Sequence, residues 1–180
     1  MLTQWNTRAQ NRKFVASYSG GKDSSLALYQ AMQMGEPVAL IVMLEEQGLK
    51  SRSHGMSLGI IHAQAKAIGL PIYSASATWQ DYENQFIQLL QKAQALGAES
   101  LVTGDIDLMA HAEWNQSVCD KSELRLCMPL WQRPRLDIVH EFIQLSFQSI
   151  IVTVNLSLGM TVEDLGQAVS YTHLTLPTKA

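Results

Sequence analysis

The sequence predicts an α/β fold, an open and doubly wound parallel sheet of about five strands that is covered by helices on both faces. Two observations support this class. Short apolar runs that can be buried on both faces alternate with amphipathic segments at helical spacing along most of the 180 residues. In addition, a strand over 13–18, a helix over 24–34 and a strand over 38–44 together have the length of one βαβ unit.

The first half of the chain supplies three of the strands and two of the helices. The helix over 24–34 has apolar residues at helical spacing, and Gly35 follows it as a helix-ending residue. A second helix is predicted over 54–69, where four apolar residues fall on one side: Ile60, Ile61, Ala65 and Ile68. The third strand, over 70–75, begins with a Leu-Pro pair, a position at which proline is tolerated.

The second half continues the alternation and then weakens. A long amphipathic helix is predicted over 81–97, a strand over 100–103 and a helix over 107–120. Beyond these, the apolar pattern predicts a short strand over 127–131, a helix over 135–146 and a strongly strand-like segment over 147–156.

Composition and charge exclude several classes of protein. The net charge of −3 argues against a bulk nucleic-acid binder, but not against a small polyanion bound locally with a divalent cation. The longest apolar run, 38–44, is too short to span a bilayer, so no membrane partner is expected. Two cysteines, Cys119 and Cys127, form neither a disulfide framework nor a zinc-site pattern, which favours the reducing cytoplasm.

The stretch Ser19-Gly20-Gly21-Lys22-Asp23-Ser24-Ser25, between the first strand and the first helix, predicts an anion site. Its glycines allow positive φ and leave main-chain N–H groups open, and the following helix directs its positive dipole end there. Lys22 adds a mobile charge. The spacing fits neither a Walker A motif nor a dinucleotide fingerprint. A tight turn capped by Asp23 or Ser24 is the simpler alternative, but it leaves the lysine unexplained.

Two further polar segments follow predicted strands. Residues 51–56 have the sequence Ser-Arg-Ser-His-Gly-Met. They are either a polar loop with a helix N-cap at Ser53, or a segment whose Arg52 and His54 contribute to the anion site. Because ligands of open parallel sheets bind beyond the carboxyl ends of the strands, this segment is expected to lie near residues 19–25.

The other segment is Gly104-Asp105-Ile106-Asp107, after the fourth strand. Gly-Asp at a strand end is as often a structural cap as a functional pair. Asp105 and Asp107 could alternatively serve Mg²⁺ through water, since that ion requires oxygen ligands. This segment is expected at the same edge of the sheet.

The six residues from Ser19 to Ser24 resemble the pyrophosphate loop of the N-type ATP pyrophosphatases, or PP-loop enzymes. The resemblance implies an adenine-nucleotide α-hydrolase type of sheet and binding of ATP with Mg²⁺. It also implies transfer of AMP to a carbonyl or carboxylate oxygen, followed by attack of an amine, ammonia or a sulfur nucleophile.

Several other motifs are similar to one PP-loop subgroup, the diphthine–ammonia ligase family, over about residues 13–166. They are Ser51-Arg52-x-His54-Gly55, Gln64-Ala65, Gly69-Leu70-Pro71, Gly104-Asp105-Ile106, Trp114 and Pro129-Leu130-Trp131. This resemblance implies ATP-dependent amidation through an acyl-adenylate. In eukaryotes and archaea the family's substrate is diphthine on elongation factor 2. The family's Gly-Glu-x-Gly-Glu segment, which helps to build the acceptor site, has no match here.

These observations define an expected set of site residues and partners. Lys22 and Asp23 are the expected catalytic residues, and Asp23 and Asp105 are expected near Mg²⁺. The expected nucleotide-binding residues are Ser19, Gly20, Gly21, Lys22, Asp23, Ser24, Ser25, His54, Gly104 and Asp105. The partners are ATP, an unidentified acyl acceptor that can be protein-borne, and ammonia or another amine; a homodimer is one possible assembly. The alternatives are a non-catalytic adenine-nucleotide-binding module, a thiolation enzyme, and an inactive fragment without its acceptor half.

Three regions are predicted: a loose polar leader over 1–12, a nucleotide-binding domain over 13–167 and a tail over 168–180. The tail resembles a peptide that ends many unrelated truncated sequences and derives from adapter sequence. We therefore expect it to be non-native, an expectation that a genomic stop codon directly after Ala180 would contradict. By composition, residues 172–178 could equally form an edge strand.

Overall fold

Five parallel strands form one sheet in the computed structural model, which describes residues 5–168. The strands are β1 (Lys13–Ser17), β2 (Glu36–Leu44), β3 (Ile72–Ser76), β4 (Ser100–Val102) and β5 (Arg125–Cys127). Their order across the sheet is β3-β2-β1-β4-β5, and every neighbouring pair is parallel. The predicted fold class is confirmed.

Over residues 5–168, five α-helices connect and follow these strands. They are α1 (Lys22–Met32), α2 (Leu58–Ile68), α3 (Tyr82–Ala95), α4 (Met109–Lys121) and α5 (Arg135–Gln144). Two short 3₁₀ turns follow, at Leu156–Leu158 and Val162–Asp164. The predicted helices are all present, with ends that differ by a few residues.

The start of α2 is the largest of these differences, and its cause is a cap. The prediction placed the N-cap at Ser53, whereas the structure places it at Ser57, whose Oγ accepts a hydrogen bond from the Ile60 N–H. Residues 51–56 consequently form a loop in which Gly55 has a positive φ of 63°. The later start keeps this whole segment outside the helix.

The sheet is buried on both faces. Val15, Ile41 and Leu101 on one face join a cluster with residues of α3 and α4, including Phe86 and Leu90. The neighbouring strand residues Phe14, Ala16 and Leu40 point to the other face and are also buried, at 0%, 2% and 0% exposure. Burial on both faces explains why these strands read as continuous apolar runs.

The strand order positions the functional edge. The central strand β1 has β2 on one side and β4 on the other, so the order of the strands reverses at β1. Ligands of open α/β sheets bind at such a switch point, beyond the carboxyl ends of the strands. In this sheet the switch point lies just beyond Ser17, where β1 ends, and Val102, where β4 ends.

The N-terminal segment is not loose over the residues that the structure describes. Asn6 is 4% exposed, and its Nδ2 donates to the carbonyl oxygens of Met128, Pro129 and Trp131 at 3.1, 3.3 and 3.2 Å. Ala9 is fully buried. The prediction was wrong because a polar side chain can be buried when carbonyl groups satisfy it, which composition does not reveal.

The described residues fall into two compact units, one up to Gln132 and one from Arg133 onward. The second unit contains α5, with Phe142 stacked on Phe147 at 5.0 Å between ring centroids. The strand predicted over 147–156 is wrong: these residues are not assigned to a strand, and within the described part of the chain they make one isolated antiparallel bridge, Ile150 to Ala168. Its β-branched residues favour extended backbone, but a strand also needs a neighbouring strand for its hydrogen bonds.

The short strand predicted over 127–131 is shifted. It ends at Cys127, before Pro129, which has no N–H to donate to a sheet. Residues 169–180 of the predicted tail, including the possible edge strand, lie outside the described residues, as do residues 1–4 of the leader.

Candidate nucleotide-binding site

The loop between β1 and α1 begins while the chain is still attached to the sheet. The Tyr18 N–H donates to the Ile41 carbonyl oxygen at 2.8 Å, and the next residues turn away from the strand. Gly20 has a positive φ of 78°, which glycine adopts without strain. Gly21 is the N-cap of α1, and no side-chain hydrogen bond caps this helix.

The first turn of α1 presents open amide groups at this loop. Its first helical hydrogen bond runs from the Ser25 N–H to the Gly21 carbonyl at 3.0 Å, so the amides of residues 22–24 precede the helical ladder. Neither Asp23 nor Ser24 caps the helix, which removes the alternative of a self-capped turn. Such amides, at the positive end of the helix dipole, suit a phosphate group.

The loop's hydroxyl groups bind to one another. The Ser19 hydroxyl donates to Ser24 Oγ at 3.1 Å, and the Ser24 hydroxyl donates to the Gly21 carbonyl at 3.0 Å. Ser25 Oγ lies 3.3 Å from the Tyr18 hydroxyl. Burial raises the pKa of Tyr18, a shift that this hydrogen bond to Ser25 opposes, so the phenol stays protonated. The serines therefore fix the shape of the loop.

Lys22 and Asp23 form an ion pair, with 2.5 Å between Nζ and Oδ1. Their side chains are 19% and 30% exposed, which leaves the pair accessible from solution. An incoming phosphate would compete with Asp23 for the Lys22 ammonium. The two residues predicted to be catalytic are thus in direct contact, at the mouth of the loop.

Residues 51–56 and α2 lie directly over the two glycines. A Cβ at Gly21 would overlap His54 Nε2. A Cβ at Gly20 would lie 2.5 Å from Met56 Cε and 2.6 Å from Gln64 Oε1. His54 is therefore brought to the loop as predicted, and its ring, Met56 and Gln64 lie close against the two glycines.

The His54 side chain packs against the glycine loop while the residue remains exposed to solvent. Partial desolvation lowers the pKa of His54, Asp23 opposes this shift, and the nearby Lys22 charge adds to it. At neutral pH the imidazole consequently leaves the positive charge of the site to Lys22.

Gly104 lies against the start of α1 from the other side. A Cβ at Gly104 would lie 2.8 Å from the Asp23 carbonyl carbon and 2.8 Å from the Ser24 nitrogen. The three segments predicted to converge therefore do so at the carboxyl edge of β1, β2 and β4.

Asp105 is held by several donors. Its Oδ2 accepts from the Thr103 hydroxyl at 2.7 Å and from Asn115 Nδ2 at 2.8 Å, and its Oδ1 lies 3.0 Å from His111 Nδ1. Asp107, the other acidic residue of this segment, is exposed. The carboxylate of Asp105 is thus oriented by protein groups beside the loop.

The residues present fit a magnesium ion bound through a nucleotide rather than by the protein alone. No group of three or more acidic, histidine or cysteine side chains is close enough to hold a metal within residues 5–168. Mg²⁺ keeps several waters and takes one or two carboxylates together with substrate phosphates. Asp23, whose pair with Lys22 stays accessible, is the carboxylate best placed for such a role.

Arg52 does not face the glycine loop. Its guanidinium carbon lies 4.4 Å from the Trp79 ring centroid and 6.0 Å from that of Tyr82, and its Nη2 donates to the Ala77 carbonyl. Arg52 Nε is buried without a hydrogen-bond partner among the described groups. The residue thus links the 51–56 loop to the segment after β3.

Gln64 is a site residue that the sequence reasoning did not include in the expected set. Its Nε2 lies 3.4 Å from the Gly20 carbonyl oxygen, and its buried Oε1 has no partner in the described part of the chain. The sequence does carry a sign of this role, because Gln64 is a polar residue on the face of α2 that buries Ile61 and Ala65. Trp79, 75% exposed, carried the weaker signal of a tryptophan in a polar segment.

Both cysteines are buried. Burial raises the pKa of Cys119 to about 12 and that of Cys127 to about 11. Both are free thiols, and neither is poised as a thiolate at neutral pH.

A parallel sheet with a glycine-lysine loop at its switch point is consistent with the PP-loop class of proteins. A family model described as the diphthamide synthase N-terminal domain matches residues 12–126, more than half of the chain. The chain belongs to this family.

No curated protein matches the chain. Among solved structures, the chain is similar to a predicted subunit of tRNA methyltransferase from Methanocaldococcus jannaschii, with 18% sequence identity and a TM-score of 0.47. The similarity covers 72% of this chain and 74% of that chain. Over residues 5–168, none of the helices combines the length and the apolar character that crossing a membrane requires.

Proposed function

We propose that the protein is an AMP-forming amide ligase, which adenylates a carboxylate or carbonyl acceptor with release of pyrophosphate and then amidates it. One observation supports this most strongly. The open first turn of α1, with Lys22 at its mouth, lies under His54 and against Gly104 at the switch point of the sheet.

In the first step the amides of residues 22–24 and the Lys22 ammonium bind the β- and γ-phosphates of ATP. They stabilise the charge that builds on pyrophosphate as the acceptor oxygen attacks the α-phosphorus. The bond between the α-phosphorus and the bridging oxygen to the β-phosphate breaks, and pyrophosphate leaves. Mg²⁺, held near Asp23 and Asp105, would add charge neutralisation on the phosphates.

In the second step an amine attacks the carbonyl carbon of the acyl-adenylate, AMP leaves, and the nitrogen loses a proton. The buried thiols favour a nitrogen nucleophile over a protein-borne sulfur, because the raised pKa values of Cys119 and Cys127 keep both groups protonated. The acceptor is proposed only as a class, an acyl group that can be carried by a protein.

Pyrophosphate release from ATP tests this proposal. Lys22→Ala should reduce the release by at least about 100-fold, because a charge-assisted contact to the leaving group is lost. Lys66→Ala is the matched control, because it removes one exposed ammonium from the last turn of α2. The Lys66→Ala variant should release pyrophosphate at the rate of the parent protein.

Both variants should keep the unfolding temperature within a few degrees of the parent. Release that is unchanged in Lys22→Ala would contradict the assigned role. ATP binding without any pyrophosphate release, in the presence of acyl acceptors and ammonium, would favour the non-catalytic nucleotide-binding module instead.

A further inference from the structure

A cleft opens at the edge of the sheet opposite the loop between β1 and α1, which we call the nucleotide loop. It has a volume of about 640 Å³ and lies at the amino ends of β1 and β5. Its lining residues are Thr7, Arg8, Gln10, Asn11, Arg12 and Arg125. The volume is within the range of roughly 300–1,000 Å³ that is typical of small-molecule sites.

The segment that forms one wall of this cleft is firmly held. The Ser100 hydroxyl donates to the Arg8 carbonyl at 3.2 Å, and the Asn11 N–H donates to the Met34 carbonyl at 2.8 Å. A Cβ at Gly35 would lie 2.5 Å from the Arg12 carbonyl oxygen, so this glycine permits the close approach of the segment. The wall is therefore in place before any ligand binds.

The lining is strongly cationic. Among the described residues, three arginines and no acidic residue line the cleft, in a chain whose net charge is −3. Arg12 pairs with Glu99 at 3.1 Å, at the border with a neighbouring cleft. Arg125 is exposed and makes no ion pair with any residue that the structure describes. Like charges held together on a fixed wall favour binding of an anion.

We propose that this cleft binds a small anion that carries two or more phosphate groups, at a site separate from the nucleotide loop. Guanidinium groups donate two parallel hydrogen bonds to phosphate oxygens, so Arg125 and its neighbours on this wall can bind adjacent phosphates of one ligand, for which Arg12 would exchange its Glu99 partner. The net charge of −3 favours a compact ligand over a nucleic-acid helix. This proposal does not depend on the ligase activity.

Calorimetric titration with inorganic tripolyphosphate in the Lys22→Ala background tests the site, because this background weakens phosphate binding at the nucleotide loop. One equivalent should bind. Adding Arg8→Gln and Arg125→Gln should weaken binding by at least about tenfold, the loss expected when charge-assisted hydrogen bonds are removed. Adding Lys66→Gln, which removes a charge elsewhere, should leave the affinity within about twofold.

A gain-of-function variant makes the test independent of any folding defect. Glu99→Gln frees Arg12 from its ion pair and should strengthen tripolyphosphate binding several-fold. Equal affinities in the Arg8/Arg125 variant, the Lys66 variant and their common background would overturn the proposal. So would an unchanged or weaker affinity in Glu99→Gln.

Discussion

At Gly104 the missing side chain is a packing requirement. The main chain of Asp23 and Ser24 occupies the space that a Cβ would need, and main-chain atoms cannot rotate away as a side chain can. At Gly21 the close neighbour is the His54 side chain, which can shift. The packing requirement is therefore strictest at Gly104.

Gly104→Ala should therefore destabilise the protein by about 1–3 kcal/mol, as overpacking does in well-packed regions. Urea denaturation measures the change. Gly59→Ala is the matched control, since a Cβ there meets nothing within 4 Å and the residue lies in α2. We expect that control to be neutral or to stabilise by up to about 1 kcal/mol. Equal effects of the two substitutions would contradict the packing argument.

His54 should make stability depend on pH. Because its pKa is lowered in the folded protein, the unfolded chain binds the proton more readily, and stability falls as pH drops through the ordinary histidine range near pH 6.5. Thermal unfolding between pH 8 and pH 5.5 should show a smaller loss in His54→Gln than in the parent. A parallel loss in both proteins would show that the imidazole is not responsible.

At the scale of elements, the cap of α2 determines which residues reach the site. If the helix began after Ser53, residues 54–57 would be helical and the loop over Gly20 and Gly21 would not form. The capping bond of Ser57 to the Ile60 N–H fixes the later start. A local hydrogen bond thus has a consequence for the geometry of the whole edge.

Ser57→Ala should cost about 1 kcal/mol of unfolding free energy, which is the usual effect of removing a serine cap. Ser53→Ala, at the exposed position where the sequence alone places the cap, should change it by less than about 0.5 kcal/mol. Chemical denaturation of both variants checks the difference. The reverse ranking would restore the sequence-based assignment.

At the scale of the whole molecule, the sequence contained enough to predict the sheet and its functional edge. Strands buried on both faces that alternate with helices are typical of a parallel sheet covered by helices, and parallel strands bring their carboxyl ends to one edge. From this, Ser19–Ser25, His54 and Gly104 could be placed together, as the structure shows.

The features that the sequence did not predict also have physical causes. The burial of Asn6 depends on three carbonyl groups more than a hundred residues away. Whether residues 147–156 form a strand depends on whether another strand is available to pair with them. The orientation of Arg52 toward Trp79 depends on the path of the chain after β3. Such long-range partners are not encoded in local propensity.

The central claim is that the loop after β1 holds the β- and γ-phosphates of ATP, and a thermal shift comparison of ATP with AMP tests it most directly. With Mg²⁺ present, ATP at 100 times its dissociation constant should add about 2.7 kcal/mol of stability, and AMP should add much less. Lys22→Ala should lose most of this difference. Equal stabilisation by ATP and AMP, or an ATP shift unchanged in Lys22→Ala, would contradict the account.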